Sequence, residues 1–407
     1  MNLNSIESRI EYSQDIPGAI EAGLLSLFDV ESLDRLSSRE KVLLRESIQK
    51  LFWSTSATDY SGYCRAYALY YLPVNLYKIW RPLLDLSLTD SLPTQGKVLE
   101  LGAGPGSATF GLIEYYRYLA AGNDLLSFCL DICIIEKNPE FISVFEKLYS
   151  TYIKNLPENL SLSVKCIRND AFDYLSNSCA ESFDLIIESN MLNPNEGISE
   201  SHLTQFATGL IPLMSKHSSA ILIEPAKKEL AETLNSVTKY LLCLGLGRYS
   251  PCCCSSAECY QFASGRIDTS GIKLTKLLFD RGIITRQPST HSFEYAVFRN
   301  DAMQKYDYNG SGSLLSDLRD RIGEIISFKA FVLTAIDNID HFSIKICDGS
   351  RSRSGDLWLE VPKNILVEKQ LNCLTAGRGG LVDVRDAVVV HSAKIGVTQK
   401  TRLKIYM

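Results

Sequence analysis

The sequence predicts an α/β protein built on a doubly wound, mainly parallel sheet, with an N-terminal helical region and a small C-terminal β-barrel. Between residues 91 and 302, short apolar strand-like runs alternate with amphipathic helical stretches, as in parallel sheets whose strands are joined by crossover helices. From residue 314 to residue 407, several short β-rich segments are separated by turn residues, which is typical of a small barrel. A polar, turn-rich linker over residues 303–313 separates these two domains.

The composition of the 407-residue chain fits a globular protein of more than one domain. Apolar residues make up 45% and charged residues 22%, so disorder is not expected to dominate. No apolar run reaches the roughly 18 residues that span a bilayer, so we expect no membrane segment. The early acidic residues Glu7 and Glu11 disfavour a targeting peptide, and a reducing, cytoplasmic location is therefore predicted.

Residues 1–90 are predicted to form the N-terminal helical region. Apolar residues recur at helical spacing, and an aromatic-rich stretch follows that is broken by Pro73 and Pro82. Core packing is the favoured interpretation of this aromatic stripe, and a platform that stacks on bases is the alternative. The region is expected to act as a lid or as a surface for a partner.

The central region, residues 91–302, alternates strands and helices. Strands are predicted at residues 97–101, 128–135, 160–167, 183–188 and 220–223. Helices are predicted at residues 106–118, 139–154, 202–212 and 228–243. Two late segments, residues 283–285 and 293–298, are expected to form a closing hairpin. Because ligands of such sheets bind beyond the carboxyl ends of the strands, we expect the functional residues there.

The first predicted strand is joined to the following helix by the glycine-rich run Glu100-Leu101-Gly102-Ala103-Gly104-Pro105-Gly106. Glycines allow positive φ angles and let the backbone approach a ligand closely. An acidic side chain just before the loop can accept a hydrogen bond from a ligand's amino group. The run resembles the first motif of class I methyltransferases, which implies S-adenosylmethionine as the cofactor. The predicted contacts in this loop are Glu100, Gly102, Ala103, Gly104 and Gly106.

Further cofactor contacts are predicted at the ends of the next strands. Glu136 ends the second strand, where a carboxylate can accept hydrogen bonds from ribose hydroxyls. Asp170 and Ala171 follow the third strand, at the position where the methyltransferase family reads the adenine edge. Lys137 and Ser189 complete the predicted set of cofactor-binding residues.

The segment after the fourth strand carries the candidates for catalysis. Its sequence over residues 189–195, Ser-Asn-Met-Leu-Asn-Pro-Asn, lacks the second proline and the aromatic residue of N6-adenine methyltransferases. Asn190 is predicted to orient the acceptor, and Glu188 is the second catalytic candidate. In an alternative interpretation, Glu188 and Glu196 bind a guanidinium group, as the paired glutamates of protein arginine methyltransferases do.

Several segments together resemble one family of methyltransferases. They are residues 67–73 (Tyr-Ala-Leu-Tyr-Tyr-Leu-Pro), the glycine loop, the Pro251–Cys252 pair with its cysteine cluster, and residues 293–299 (Phe-Glu-Tyr-Ala-Val-Phe-Arg). Over roughly residues 60–300 the chain resembles the mitochondrial small-ribosomal-subunit methyltransferase-like family and its bacterial relatives. The resemblance implies an RNA methyltransferase that acts in ribosome assembly and holds an iron–sulfur cluster on cysteines.

Clustered cysteines are the predicted metal ligands, namely Cys252, Cys253, Cys254 and Cys259. In the family resemblance, Cys252 matches the first ligand position and Cys259 a later one, although the spacing is compressed and the usual histidine is missing. From the chemistry alone, a C-C-C-x4-C run offers three or four thiolates to an iron–sulfur cluster or to zinc. The alternative is a group of reduced thiols without a metal.

The C-terminal segments follow an order that resembles the OB-fold, a barrel that commonly binds single-stranded nucleic acid. Residues 322–407 contain 12 Lys and Arg against 9 Asp and Glu, a net charge of +3, whereas the rest of the chain has a net charge of −8. We therefore expect RNA or a ribonucleoprotein to be the partner of the barrel. A non-catalytic assembly factor that binds S-adenosylmethionine is the alternative to an enzyme.

Overall fold

The structure is a computed structural model that describes residues 14–53, 60, 62–177, 181–193, 197–251, 264–287, 289–305, 315, 318–347, 357–367 and 380–406. The chain divides into two compact units. The first contains residues 1–237 and 266–293, and the second contains residues 238–265 and 294–407.

The described helices before the sheet confirm the predicted N-terminal helical region. They are α1 (Gly18–Ser26), α2 (Ser38–Trp53), α3 (Cys64–Asn75) and α4 (Trp80–Ser87). A capping box starts α2, because the Glu40 N–H donates to Ser37 Oγ at 3.3 Å and the Ser37 N–H donates to Glu40 Oε2 at 2.7 Å. Between α3 and α4 the chain continues through the 3-10 turn Leu76–Ile79. The ring N–H of Trp80 anchors this region by donating to Gly111 O at 2.8 Å.

The parallel strands of the first unit are β1 (Gln95–Leu101), β2 (Phe128–Glu136), β3 (Leu160–Arg168), β4 (Phe183–Ser189) and β5 (Met214–Pro225). β1 pairs in parallel with β2 and β4, β2 with β3, and β4 with β5. Residues such as Leu99, Ile187 and Ile221 are fully buried. Near-continuous apolar strands of this kind are characteristic of parallel sheets that are covered on both faces.

The helices that alternate with the strands are α5 (Ser107–Ala121), α6 (Pro139–Tyr152), α7 (Ala171–Asn177), α8 (Glu200–Leu210), α9 (Lys228–Cys243) and α10 (Lys273–Asp280). The start of α6 is defined by local chemistry: Pro139 occupies its first position, and the Glu140 N–H donates to Asn138 Oδ1 at 2.9 Å. None of the described helices combines the length and the apolar character needed to cross a membrane.

The later strands complete the order of the large sheet. They are β6 (Gly247–Ser250), β7 (Ser264–Asp268) and β8 (Thr290–Arg299). The sheet has the order β3-β2-β1-β4-β5-β8-β6, with β7 paired to β8, and β6 and β8 are antiparallel. This is the order of a Rossmann-like methyltransferase sheet, and it confirms the predicted doubly wound α/β fold.

The strand predicted at residues 283–285 is wrong. After α10, Gly282 adopts a φ of +62°. Its N–H donates to Phe279 O at 2.8 Å, and the Ile283 N–H donates to Leu278 O at 2.9 Å. This is a Schellman motif, in which the apolar residue after the glycine packs back on the helix that it ends. The two buried isoleucines therefore reflect a helix end, and the partners of β8 in the described sheet are β5, β6 and β7.

The second unit contains the predicted small barrel. Its strands are β9 (Ile325–Asp337), β10 (His341–Cys347), β11 (Leu357–Pro362), β12 (Leu381–His391), β13 (Lys394–Gly396) and β14 (Arg402–Tyr406). The ring β9-β10-β11-β13-β12 closes because β12 also pairs with β9. β13 and β14 are separate strands, since the Thr398 N–H donates to Thr401 Oγ1 at 2.9 Å in the turn between them.

Candidate functional site

The turn between β1 and α5 presents backbone to the cavity beyond the sheet. Gly102, Gly104 and Gly106 have φ angles of +64°, +55° and +87°. A Cβ atom on Gly102 would lie 2.7 Å from Met191 Cγ, and one on Gly106 would overlap the Phe145 ring. By contrast, a Cβ on Gly104 would meet no atom within 4 Å. The backbone at Gly104 is therefore the part of this turn that a ligand can approach most closely.

Glu136 is attached to this turn from the end of β2. Its Oε2 accepts from the Gly104 N–H at 2.7 Å, and its Oε1 accepts from the Asn138 N–H at 2.8 Å. Burial raises the pKa of this carboxyl, and the two backbone donors oppose that shift. Each carboxylate oxygen has lone pairs beyond the one already used, so Glu136 can still accept hydrogen bonds from ligand hydroxyls.

Glu100 lies beneath the glycine turn. It is 2% exposed, and one of its oxygens accepts from the Thr109 hydroxyl of α5. Burial raises its pKa to about 8, so the carboxyl is largely protonated at neutral pH. In this position Glu100 supports the turn from behind, and it does not line the cavity.

A cavity of about 410 Å³ lies at the carboxyl ends of these strands in the first unit. Of the predicted site residues, those that line it are Gly102, Gly104, Glu136, Lys137, Asp170, Ala171 and Asn190. The predicted residues that do not line it are Glu100, Ala103, Gly106, Glu188 and Ser189. The structure therefore gathers the ends of β1, β2 and β3 with the loop after β4 around one volume.

Asp170 lies on the cavity wall at the start of α7. Its Oδ1 accepts from the Phe172 N–H at 2.9 Å, and its Oδ2 lies 3.4 Å from Lys137 Nζ. The first contact caps the helix and orients the carboxylate. The second is a largely exposed ion pair that water screens. The cavity therefore has an acidic edge at the end of β3 as well as at the end of β2.

Aromatic rings from the N-terminal region form another wall of the same cavity. Tyr60 and Tyr67 line it together with Phe141 of α6. The ring centroids of Tyr67 and Phe141 lie 5.2 Å apart at an angle of 71°, and those of Tyr60 and Tyr67 lie 5.4 Å apart. Other residues of the aromatic stripe, such as Trp80, are buried core. The periodicity of the stripe therefore did not distinguish the rings that face the cavity from those that face the core.

The loop after β4 forms the remaining wall, and two carboxylates stabilise its shape. Asn190 has a φ of +61°, and its N–H donates to Ile223 O at 2.8 Å. The Met191 N–H donates to Glu188 Oε1 at 2.8 Å, and the Leu192 N–H donates to Glu224 Oε1 at 2.9 Å. Asn190 therefore faces the cavity because the backbone on either side of it is bonded to β4 and β5.

Glu188 and Glu224 form a buried carboxyl pair with Lys78, and each of the three residues is at most 4% exposed. Burial and the neighbouring Glu224 raise the pKa of Glu188 well above its usual value. Burial lowers the pKa of Lys78 to about 8, and the charge of Glu224 opposes this shift. At neutral pH Glu188 is therefore neutral, and Lys78 is mostly charged.

Sequence reasoning missed Lys78 and Glu224. The available signals were a lone lysine within an apolar, aromatic stretch and an acidic residue at the end of the fifth strand. The predicted metal ligands Cys252, Cys253, Cys254 and Cys259 lie outside the described residues. Among the residues that are described, there is no group of three or more His, Cys, Asp or Glu side chains suited to a metal ion.

Several solved methyltransferases are similar to part of this chain at low sequence identity. N-methyltransferase NodS from Bradyrhizobium japonicum is 15% identical over 55% of this chain and 96% of its own, with a TM-score of 0.30. A methyltransferase from Pyrococcus furiosus is 10% identical over 54% and 82% of the two chains, with a TM-score of 0.31. The glycopeptide N-methyltransferase MtfA, solved with S-adenosyl-L-homocysteine, is 12% identical over 64% and 98%, with a TM-score of 0.31.

No protein-family model matches the sequence, and no curated protein matches it. The strand order and the glycine turn with its cavity define a Rossmann-like methyltransferase fold. The resemblance to the mitochondrial small-ribosomal-subunit family stays a prediction from the sequence.

Proposed function

We propose that this chain is an S-adenosylmethionine-dependent methyltransferase. The supporting observation is that one cavity joins the open backbone of Gly104 to the carboxylates of Glu136 and Asp170 and to the rings of Tyr67 and Phe141. Carboxylates suit ribose hydroxyls and the adenine amino group, and aromatic rings suit the adenine face. The volume of about 410 Å³ is within the range of about 300–1,000 Å³ that is usual for small-molecule sites.

When bound, the cofactor would supply a methyl group on a positively charged sulfur for an in-line displacement. The work of the protein in such a transfer is positioning. Glu136 accepts hydrogen bonds in a direction set by the N–H groups of Gly104 and Asn138. Tyr67 and Phe141 keep water away from the apolar side of the cavity.

Asn190 is the proposed residue that orients the methyl acceptor. Its Nδ2 donates to Ser189 Oγ at 2.9 Å, which leaves Oδ1 as an acceptor at the cavity wall. An amide oxygen there can accept from the N–H or O–H of an acceptor and direct its lone pair. Because Asn190 carries no ionisable group, this role is one of orientation, and the acceptor's own proton would pass to water.

Titration of S-adenosylhomocysteine into the full chain tests the cofactor assignment. We expect Glu136→Gln to weaken binding by about tenfold or more, because a hydrogen bond to a charged group is replaced by a neutral one. Glu146→Gln, an exposed change on α6, is the matched control and should leave affinity unchanged. Absence of binding to the unmodified chain would contradict the assignment.

RNA or a ribonucleoprotein is the proposed substrate. The closed barrel of the second unit and the positive net charge of residues 322–407 support this proposal. Transfer of a labelled methyl group to ribosomal RNA, and not to an arginine-rich peptide, is the expected result. Binding of the cofactor without transfer to either would favour the non-catalytic assembly factor.

The protein arginine methyltransferase interpretation required Glu188 and Glu196 to face the cavity together. Glu188 is 1% exposed and does not line the cavity, and Glu196 lies outside the described residues. No described contact therefore favours this alternative over RNA.

For the cysteine cluster we propose an iron–sulfur cluster, with zinc as the alternative metal. The support is the sequence: four cysteines, at positions 252, 253, 254 and 259, occur within eight residues. Iron, zinc and sulfide should be measured in chain purified without oxygen. The double change Cys252→Ser with Cys259→Ser should abolish the metal content, whereas Cys129→Ser, which removes an exposed free thiol, should not.

A further inference from the structure

A second cavity, of about 640 Å³, lies in the first unit and shares no lining residue with the first. It is formed by α2, by α3 and by the segment that connects α10 to β8. Its lining residues are Ile48, Gln49, Tyr70, Ile283, Ile284, Thr285, Arg286, Gln287, Ser289, Thr290 and His291. The proposed methyl transfer uses none of these residues.

The walls of the second cavity combine an apolar part with a polar, positively charged part. Ile48, Tyr70, Ile283 and Ile284 are buried and form the apolar part. Arg286 is exposed and is the charged group among the lining residues, which include no aspartate and no glutamate. A volume with an apolar side and a few convergent polar groups is characteristic of small-molecule sites.

His291 belongs to the polar part of the cavity wall. The pKa of His291 falls to about 4, first because the ring is buried and then because of the positive charge of Lys78. His291 is therefore neutral at pH 7. As a neutral ring it can donate one hydrogen bond to a ligand.

Lys78 is the positive charge that acts on His291, and it is itself buried. It is 4% exposed and lies in the 3-10 turn between α3 and α4. Its pKa of about 8 leaves it mostly charged at neutral pH. The charge of Glu224 acts on Lys78 with the opposite sign, so the charge that faces the cavity is that of Arg286.

We propose that the second cavity binds a small organic anion, a carboxylate on an apolar body, with Arg286 and His291 at the acid group and the isoleucines against the apolar part. Arg286 can donate two parallel hydrogen bonds to a carboxylate. His291, as a neutral ring, can donate a third. Tyr70 and the buried isoleucines supply the surface that an aromatic or aliphatic body covers.

The two cavities lie on either side of a row of tyrosines in α3. The rings of Tyr67 and Tyr71 are 4.7 Å apart between centroids, and those of Tyr71 and Tyr70 are 4.9 Å apart. Tyr67 lines the first cavity and Tyr70 lines the second. The anion site is thus separate from the proposed cofactor site, and its test requires neither cofactor nor methyl transfer.

Calorimetric titration of the full chain with 2-naphthoate and with its neutral counterpart 2-naphthamide tests the proposal. We expect naphthoate to bind with a Kd of about 1 mM or lower and the amide to bind at least about tenfold more weakly. Arg286→Gln should weaken naphthoate binding by about tenfold and leave amide binding unchanged. Arg39→Gln, which removes an exposed arginine outside the cavity, is the matched control.

Each other outcome would overturn the anion site. Equal affinity for the acid and the amide would show that the cavity recognises only an apolar body. Unchanged naphthoate affinity in Arg286→Gln, or an equal loss in Arg39→Gln, would place the binding elsewhere. Absence of naphthoate binding would reject the site, whatever the result with S-adenosylhomocysteine.

Discussion

Glutamates occur at or near the carboxyl ends of four neighbouring strands, and their environments differ between the two halves of the sheet edge. In the β1–β2 half, Glu136 lines the cavity and accepts from backbone N–H groups of the glycine turn. In the β4–β5 half, Glu188 and Glu224 are both 1% exposed, and they accept from the loop that contains Asn190. Backbone geometry therefore shapes one half of the site, and buried charge shapes the other.

This difference determines which substitutions disrupt each half of the site. The β1–β2 half depends on positive φ angles at glycines, which a Cβ atom disturbs without changing any charge. The β4–β5 half depends on Lys78 balancing Glu224, so removal of one charge leaves the other unpaired in the interior.

The largest expected effect is in the charged half. Lys78→Met should lower the free energy of unfolding by about 3–5 kcal/mol, because Glu224 loses its compensating charge. Adding Glu224→Gln should recover much of this loss, since the amide oxygen can still accept from the Leu192 N–H. Urea denaturation measures the free energy of unfolding of both variants.

Lys137→Met, which removes a largely exposed ion pair, is the control and should change the free energy of unfolding by less than about 1 kcal/mol. Wild-type stability in Lys78→Met would indicate that Glu224 is already protonated.

A smaller effect is expected in the glycine turn, where Gly104 and Gly106 both have positive φ angles, +55° and +87°. Gly104→Ala should lower stability by about 1–2 kcal/mol, from the positive φ alone. Gly106→Ala should lose about 1–3 kcal/mol more, because its Cβ would overlap the ring of Phe145. Thermal unfolding of the two variants provides the comparison. Equal losses would mean that Phe145 moves aside without a penalty.

A further effect is a change in pH dependence at Glu100, which is buried as deeply as the charged group of the other half. Its folded-state pKa of about 8 exceeds the ordinary 4.5, so the folded protein keeps a proton that the unfolded chain loses between these values. The contribution of protonated Glu100 to the free energy of unfolding is therefore fully present below pH 4.5, and it is lost as the pH rises to 8. The loss is at most about 1.4 kcal/mol per pH unit. Unfolding free energies at pH 5, 6 and 7 should fall less steeply in Glu100→Gln than in the Glu146→Gln control. Parallel slopes would contradict a raised pKa at Glu100.

The parallel core could be predicted from the sequence because apolar runs and turn residues are local signals. β2, β3 and β4 begin at the predicted residues and end one residue later than predicted. β5 begins six residues before the predicted start, because its polar first half, Ser215 to Ser219, does not read as a buried strand. The Schellman turn at Gly282 was missed for a related reason: two consecutive isoleucines have the same pattern at a helix end as in a strand.

The candidate site was predictable in position but not in orientation. An acidic residue at a strand end indicates where a ligand can bind, and Glu136 lines the cavity as predicted. Glu100 is buried against Thr109, and no feature of the sequence marks that threonine as its partner. Glu188 is buried against Glu224, which is distant from it in the sequence. Lys78 could not be assigned, because its partners come from β5 and β8 and are more than 140 residues away.

β14 lies at one end of the described strand order of the barrel sheet, where its edge is short and basic. β14 pairs with β12 through residues Arg402 to Tyr406, and it is the last strand in the described order of that sheet. An open strand edge is a template on which a second molecule can add a strand. Here the edge is only five residues long and carries the exposed charges of Arg402 and Lys404. Two such edges brought together would place like charges side by side, so this short basic strand acts against aggregation at high protein concentration.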